Sequence, residues 1–172
     1  AECSPIVTQL GLCCFEMAMA KLWESWGIKP AVVMGHSLGE YAALNVAGVL
    51  SASNTIYLVG TRAKLLVEKC TMNSHAMLAV QAPVEEVEKA LGSKGNNVNV
   101  ACINSNRETV LSGPTNVITK FEEELNAAGH KAKRLLVPYA FHSAQVDAIL
   151  DDFENLASAV LFERVKIPII SP

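Results

Sequence analysis

The sequence is poor in charge. Only 18% of its 172 residues are Asp, Glu, Lys or Arg, and the formal net charge is −3, which excludes the clustered positive charge on which nucleic-acid binding depends. No run reaches the roughly 18 uncharged apolar residues of a membrane span; the nearest, 31–50, is interrupted by His36, Glu40 and Asn45. Intrinsic disorder is excluded because 51% of the residues are hydrophobic. We therefore expect one core-forming domain, with or without a small subdomain, that binds neither nucleic acid nor membrane.

A cysteine pattern is also lacking. The five cysteines include no Cys-x-x-Cys pair, so neither a zinc site nor a disulfide framework is indicated. They are interpreted as small buried side chains of a protein in a reducing compartment. Because the start of the chain has no secretory pattern, we predict a cytoplasmic location. The sequence begins at 1–3 and stops at 170–172 in the middle of a pattern of secondary structure at each end. We therefore expect this chain to be a piece of a longer one.

The first 71 residues predict the beginning of an α/β body. A helix over 6–26 is apolar on all sides, which indicates that it is buried. The short apolar run 31–34 lies between breaker residues and predicts a buried parallel strand. Helices are then predicted over 38–50 and 53–69.

The middle of the chain, 72–137, predicts a smaller α+β subdomain. Its predicted elements alternate as strand, helix, strand, strand, helix and strand over 75–81, 83–91, 98–104, 109–112, 114–128 and 131–137. That order is typical of the ferredoxin-like split unit. From 138 onward the chain returns to the body, with an amphipathic helix predicted over 142–162 and a strand over 167–170.

The run GHSLG at 35–39 has the pattern G-x-S-x-G and lies between a predicted strand and a predicted helix, which is the context that the pattern requires. The sharp turn crowds the backbone, so both flanking positions must be small. It also exposes the Ser37 hydroxyl at the positive end of the following helix. The backbone N–H of Leu38 is then placed to form half of an oxyanion hole. We predict that Ser37 is a nucleophile.

A serine nucleophile needs a base, and the sequence offers four histidines. His36 is adjacent to Ser37, and its side chain is expected to point away from the hydroxyl. His75 and His130 border elements of the subdomain and are expected at its surface. His142 lies where the chain re-enters the body, at the start of a predicted helix, and is our predicted base.

Arg62 follows Ser37 by 25 residues and lies beside an apolar stripe of the helix predicted over 53–69. A guanidinium bordering a core requires an anionic partner. Two partners meet this requirement equally well: an acidic side chain in a structural salt bridge, or the anionic group of a substrate. The residues alone do not decide between these two roles for Arg62.

Six segments of the chain form an ordered set of motifs. They are GHSLGEYAA at 35–43, AGVLS at 47–51, RA at 62–63, the segment 104–113, VPYAFHS at 137–143 and IPIISP at 167–172. Together they resemble the malonyl-CoA:acyl carrier protein transacylases and the acyltransferase domains of fatty acid and polyketide synthases. The run 139–145 is most similar to fungal iterative polyketide synthases of the non-reducing type. The resemblance implies an α/β-hydrolase-like body, a parallel sheet with flanking helices formed by 1–71 and 138–172, interrupted by a ferredoxin-like subdomain at 72–137.

The resemblance also implies a role for individual residues. Ser37 would accept the malonyl group of malonyl-CoA, with His142 as general base. Arg62 would bind the malonyl carboxylate, and Gln9 matches a family glutamine near the pocket. The acceptor would be the phosphopantetheine thiol of an acyl carrier protein. No tightly bound cofactor is implied, and the further partners would be neighbouring synthase domains in cis.

The residues before the predicted base bear on the choice of acyl group. Relatives with His-Ala-Phe-His tend to use malonyl, whereas those with Tyr-Ala-Ser-His tend to use methylmalonyl. This sequence has Tyr-Ala-Phe-His at 139–142. Because Phe141 leaves less room for an α-methyl branch, malonyl is favoured, although one methyl group is worth only about 1–3 kcal/mol. Phe141 and His36 complete the predicted substrate-binding residues.

Two parts of the family pattern are absent from this sequence. One is an upstream glycine-glutamine-glycine segment that supplies the second oxyanion N–H, and the other is a downstream carbonyl that orients the histidine. Because one oxyanion donor is worth about 10²–10³ in rate, we expect the isolated chain to be a poor enzyme. A serine hydrolase or thioesterase, or a non-catalytic fragment of a synthase, are the alternatives. Against a hydrolase, no aspartate lies between Ser37 and His142.

Overall fold

A computed structural model describes residues 3–92 and 97–171, and in it the chain divides into two units. The first unit comprises the chain up to Glu68 together with the chain from Asp151 onward. The second unit is Lys69–Leu150. The subdomain predicted at 72–137 lies within the second unit, which also contains the segment carrying His142.

The first unit contains a short parallel sheet and several helices. In chain order it contains α1 (Pro5–Ser25), β1 (Val33–Met34), α2 (Gly39–Val46), α3 (Ala52–Lys69) and, near the end of the chain, β6 (Ile169–Ile170). Ser4 caps α1 by accepting a hydrogen bond from the Val7 N–H, and proline occupies the first helical position. Strands β1 and β6 pair in parallel, with Val33 opposite Ile169. The parallel strand predicted over 31–34 is present, although it is shorter than expected. The prediction that it is buried is wrong, because Val33 is half-buried and Met34 is 68% exposed.

The prediction that α1 is buried on all sides is wrong for the described residues. Within the helix only Gln9, Cys13 and Met17 are buried, whereas Phe15 is 64% exposed. The buried side chains follow one stripe at a spacing of four residues, because α1 packs on one side only, with Cys13 and Met17 in a cluster with residues of α2 and α3. Among the described residues, α1 is also the one helix long and apolar enough to cross a membrane. The core helix of a soluble protein meets the same criteria of length and composition.

The second unit has the predicted ferredoxin-like order. Its elements are β2 (His75–Val80), α4 (Val84–Leu91), β3 (Asn99–Ser105), β4 (Glu108–Pro114), α5 (Thr115–Ala127) and β5 (Ala132–Arg134). The strands form one antiparallel sheet in the order β3-β4-β2-β5. The two helices cover one face of this sheet, and Leu78, Leu111 and Ile118 form the centre of the buried core between them.

The helix predicted over 142–162 is shorter than the periodicity indicated. A 3-10 turn over Ala144–Val146 precedes α6 (Asp147–Ala157), which runs across the boundary of the two units along the chain. The backbone of His142 has φ of 59°, a left-handed conformation that a right-handed helix cannot include. The Ser143 hydroxyl then caps the turn by accepting from the Gln145 N–H. His142 therefore lies before the helix and not on it.

Candidate active site

A sharp turn joins β1 to α2 and carries Ser37. The Ser37 backbone has φ of 54°, a left-handed conformation that is uncommon for residues other than glycine. Two hydrogen bonds between residues three positions apart close the turn. The Gly39 N–H donates to the His36 carbonyl at 3.0 Å, and the Glu40 N–H donates to the Ser37 carbonyl at 3.1 Å. The serine is thus presented at the start of α2 on a strained strand–turn–helix connection, as the sequence motif predicts.

The two glycines of this turn have different requirements. A Cβ at Gly35 would overlap the backbone of Gly39 and Glu40, so only glycine fits. A Cβ at Gly39 meets no described atom within 4 Å. The expectation that both flanking positions must be small is therefore right for Gly35 and wrong for Gly39, because the backbone approaches only the first of them.

Leu38 provides a hydrogen-bond donor beside the serine. It has helical backbone angles at the N-terminus of α2, and within 3–92 and 97–171 its N–H donates to no backbone carbonyl. The first N–H groups of a helix lack intrahelical partners and attract negative charge. The Leu38 N–H is therefore suited to stabilise an oxyanion formed next to Ser37.

His36 is exposed, whereas Ser37 is half-buried. His36 and Gly35 border a cleft of about 720 Å³ within the first unit. Glu16, Met17 and Trp23 of α1 form part of the cleft wall. Ser37, Arg62 and Gln9 do not line this cleft, so His36 is separated from them in this respect.

Arg62 and Gln9 are brought together by the packing of α3 on α1. The Arg62 Nη1 donates a hydrogen bond of 2.5 Å to Gln9 Oε1, and the Gln9 side chain is buried. Burial lowers the pKa of Arg62, and the neighbouring Tyr41 partly opposes this. Burial likewise raises the pKa of Tyr41. The guanidinium of Arg62 therefore lies beside the amide of Gln9 and close to the phenol of Tyr41.

The residues predicted for the base and for substrate choice lie on one segment of the second unit. His142 is exposed and Phe141 is half-buried. The Phe141 ring packs edge-on against the ring of Tyr139, with centroids 6.2 Å apart. Tyr139 is fully buried, and burial raises the pKa of its hydroxyl, with a smaller contribution from Cys70. The segment is therefore anchored by the residues that precede the histidine.

Two buried polar residues that the sequence analysis did not single out follow the histidine. Ser143 and Gln145 are 7% and 9% exposed, and their side chains form hydrogen bonds within the segment. A serine directly before a helix is a recognisable capping signal. Gln145 carries no such signal, because nothing in the local pattern shows that a glutamine amide is buried. Among the described residues no group of three or more His, Cys, Asp or Glu side chains could hold a metal ion.

A serine at positive φ on a strand–turn–helix connection, with a helix N–H beside it, defines the class of serine enzymes that form acyl intermediates. Residues 5–171 match the model of the acyl transferase domain family, and the chain belongs to this family. The family assignment made from the motifs is thereby confirmed.

The chain is similar to synthases from several fungi. It is 65% identical to the conidial pigment polyketide synthase PfmaE of Pestalotiopsis fici over 169 residues, covering 98% of this chain and 8% of that protein. It is 54% identical to non-reducing polyketide synthase 1 of Elsinoe fawcettii over 172 residues, covering 100% of this chain and 8% of that protein. The resemblance to the non-reducing type that the run 139–145 indicated is thus confirmed.

Among solved structures, the malonyl CoA-acyl carrier protein transacylase from Coxiella burnetii superposes with a TM-score of 0.90 at 30% identity, covering 97% of this chain and 54% of that one. The predicted fold class, an α/β body with a ferredoxin-like subdomain, is therefore that of acyltransferase domains. The chain spans about 8% of the curated relatives and about half of this solved structure.

Proposed function

We propose that this chain loads malonyl groups from malonyl-CoA onto the phosphopantetheine thiol of an acyl carrier protein within a polyketide synthase. The observation that supports the proposal most directly is the turn at 35–39, where Ser37 is held at positive φ beside the Leu38 N–H. Membership of the acyl transferase domain family and similarity to non-reducing polyketide synthases agree with it.

In the first half-reaction the Ser37 Oγ attacks the thioester carbonyl carbon, and His142 takes the hydroxyl proton. The negative charge that forms on the carbonyl oxygen is stabilised by the Leu38 N–H. When the tetrahedral intermediate collapses, the carbon–sulfur bond breaks and His142 returns the proton to the leaving coenzyme A thiolate. Ser37 then carries the malonyl group as an ester.

The second half-reaction reverses these steps with a different thiol. The phosphopantetheine thiol gives its proton to His142 and attacks the seryl ester. The carbon–oxygen bond to Ser37 breaks, and His142 returns the proton to the serine oxygen. The enzyme needs no tightly bound cofactor, because the carrier protein brings its own phosphopantetheine; the other partners are neighbouring synthase domains in cis, in the cytoplasm.

Arg62 selects for a dicarboxylic acyl group in this proposal. Its guanidinium binds the free carboxylate of malonyl, while the hydrogen bond to Gln9 fixes its direction. Phe141 restricts the space beside the α-carbon, which favours malonyl over methylmalonyl by about 1–3 kcal/mol. His36, which precedes Ser37 in the sequence, completes the proposed substrate-binding residues.

The test is to map the acyl group in a synthase that contains this chain, since the chain spans only about 8% of its curated relatives. The synthase is mixed with malonyl-CoA, quenched and digested, and the peptide containing Ser37 is analysed by mass spectrometry. We expect a malonyl ester on Ser37, its transfer to added carrier protein, and loss of both in Ser37→Ala. Ser158→Ala, which changes an exposed serine of the same unit, is the matched control.

Each contrary outcome has a defined meaning. Release of malonate to water at the same rate with and without carrier protein indicates the alternative, a hydrolase. Acylation that persists in Ser37→Ala contradicts the assignment of the nucleophile. The absence of any ester on Ser37 under conditions in which the synthase is active supports the other alternative, a non-catalytic part of the synthase.

A further inference from the structure

Gln145 is a buried glutamine whose side chain uses both of its polar ends. Its Oε1 accepts a hydrogen bond of 2.8 Å from the Ala140 N–H. Its Nε2 donates to the Thr71 carbonyl at 2.9 Å and to the Ser74 Oγ at 3.1 Å. The side chain therefore ties the segment around 140 to the segment 71–74, which is far away in sequence.

Two further contacts attach the same position. The Gln145 carbonyl accepts a hydrogen bond from the Cys70 thiol at 3.2 Å. The Ser143 Oγ donates to the Ala140 carbonyl at 2.6 Å and accepts from the Gln145 N–H at 3.2 Å. Both polar backbone groups of Ala140 are thus held by side chains that come after His142 in the sequence.

His142 lies between these anchors in a conformation that it does not favour. Its backbone φ is 59°, and a non-glycine residue persists in this region only when the surrounding structure over-determines it. Ala140 on one side, and Ser143 and Gln145 on the other, are buried and hydrogen-bonded to one another. The two ends of the short span that contains His142 are therefore fixed, while the histidine itself stays exposed.

We propose that Gln145 is a positioning residue that, together with Ser143, holds His142 in the conformation in which it acts as the base. The inference rests on the proposed function, because it assigns Gln145 a role only through His142. A side chain that fixes a catalytic group matters because a displacement of about 1 Å can cost about 10² in rate. Gln145 is well placed to prevent such a displacement, since its amide joins the histidine segment to Thr71 and Ser74. This link reinforces the backbone hydrogen bond of 2.9 Å from the Asn73 N–H to the Pro138 carbonyl.

The main experiment measures the rate constant for acylation of Ser37 by malonyl-CoA in the synthase. Gln145→Met keeps the length of the side chain but removes both polar ends, and we expect the rate constant to fall by about 10–100-fold. Thr109→Val is the matched control, because Thr109 is a fully buried hydroxyl of the same unit that donates to the Ala82 carbonyl at 3.0 Å. It removes one buried hydrogen bond elsewhere, and we expect it to lower the stability but not the acylation rate.

A pair of changes at Ser143 provides a second test if Gln145→Met does not fold. Ser143→Ala removes the hydroxyl that binds the Ala140 carbonyl and is expected to slow acylation. Ser143→Thr keeps the hydroxyl, and the extended backbone at this position, φ −135° and ψ 172°, accepts a β-branched residue. We expect Ser143→Thr to retain a rate within about twofold of the original, since no interaction that positions His142 is lost.

A double-mutant cycle separates positioning from a general structural effect. In a His142→Ala background there is no base to position, so Gln145→Met is expected to change the residual acylation rate by less than about twofold. A full-sized loss in that background, or an unchanged rate in Gln145→Met alone, overturns the inference. If His142→Ala itself acylates Ser37 at the original rate, the proposed base is wrong, and that outcome is recognised from the single variant before Gln145 is considered.

Discussion

At the scale of single residues, strain marks the proposed catalytic groups. Among the described residues, three other than glycine have positive φ: Ser37, Asn73 and His142. Such conformations cost of order 1–3 kcal/mol each and are found at functional sites more often than elsewhere. Two of the three are the residues that we propose as nucleophile and base, although the sequence motifs identified them without any knowledge of their backbone angles.

The close approach of the backbone at Gly35 gives a first prediction. Gly35→Ala places a Cβ against the backbone of Gly39 and Glu40, which cannot rotate away. We expect a loss of about 1–3 kcal/mol in the free energy of unfolding, together with loss of acylation at Ser37. Gly39→Ala is the matched control, because its Cβ enters open space at the start of α2. Chemical denaturation should separate the two variants; equal stabilities would contradict the steric argument.

The charge of Arg62 gives a second prediction. Arg62→Ala should reduce the acylation of Ser37 by malonyl-CoA about 10–100-fold, because a hydrogen bond to a charged group is worth about 1.5–3 kcal/mol. Acylation by acetyl-CoA, which has no free carboxylate, should change much less. Lys64→Ala alters an exposed cation on the same helix that pairs with Glu68 and is the control. Equal losses for malonyl and acetyl groups would rule out the carboxylate role.

At the scale of elements, the sequence predicted most of the helices and strands because their cause is local. The hydrophobic periodicity of α3 and α5 was sufficient to predict these helices. The breaker residues around β1 were sufficient to predict that strand. The helix predicted over 142–162 failed at its start, since its apolar stripe continues smoothly although His142 is left-handed. The pairing of Arg62 with Gln9, 53 positions apart in the sequence, was also beyond the sequence, because no pattern specifies how α1 packs on α3.

The packing of α1 gives a third prediction, on the dependence of stability on pH. Burial, with smaller contributions from Glu16 and Cys14, raises the pKa of Cys13 from 9.0 to about 11. In the unfolded chain the thiol ionises near its ordinary value. Between pH 9 and about 11 the unfolded state therefore loses a proton that the folded state keeps, and the free energy of unfolding falls as the pH rises.

The measurement compares the original chain with Cys13→Ala by denaturant unfolding at several pH values from 8 to 11. Other groups titrate equally in the two proteins. The difference between their free energies of unfolding therefore reports on Cys13 alone. We expect the advantage of the original chain to be greatest at pH 8 and to shrink by at most about 1.4 kcal/mol per pH unit across the window. A difference that stays constant with pH would show that the thiol is not protected from ionisation.

At the scale of the whole molecule, the first unit is formed by two separate stretches of chain and the second unit by one continuous stretch. The ferredoxin-like order of the second unit was predictable because its six elements follow one another with short connections. The catalytic assignment needed more than this order, because Ser37 belongs to the first unit and His142 to the second. The sequence supplied that link through the serine's need for a base and the place where the chain leaves the subdomain, and the family motifs agreed with it.

The core of the second unit gives a fourth prediction. Leu111 of β4 is fully buried in its centre, with Leu78 and Ile118. Leu111→Ala should lower the free energy of unfolding by about 2–5 kcal/mol, since it leaves a cavity in a packed core. Ile103→Ala on the neighbouring strand β3 changes a side chain that is 60% exposed and should change stability by no more than about 0.5 kcal/mol. Urea unfolding of both variants checks the contrast.

The pairing of β1 with β6 has a consequence for the order in which the protein is made. Ile169 is synthesised 136 residues after its partner Val33. At about 5–20 residues per second, β1 waits roughly 7–27 s on the ribosome before that partner exists. The strands of the second unit are all complete earlier, so this unit is able to fold while the turn of Ser37 still lacks its neighbouring strand. Competence for acylation should therefore arise only after Ile169 and Ile170 have left the ribosome.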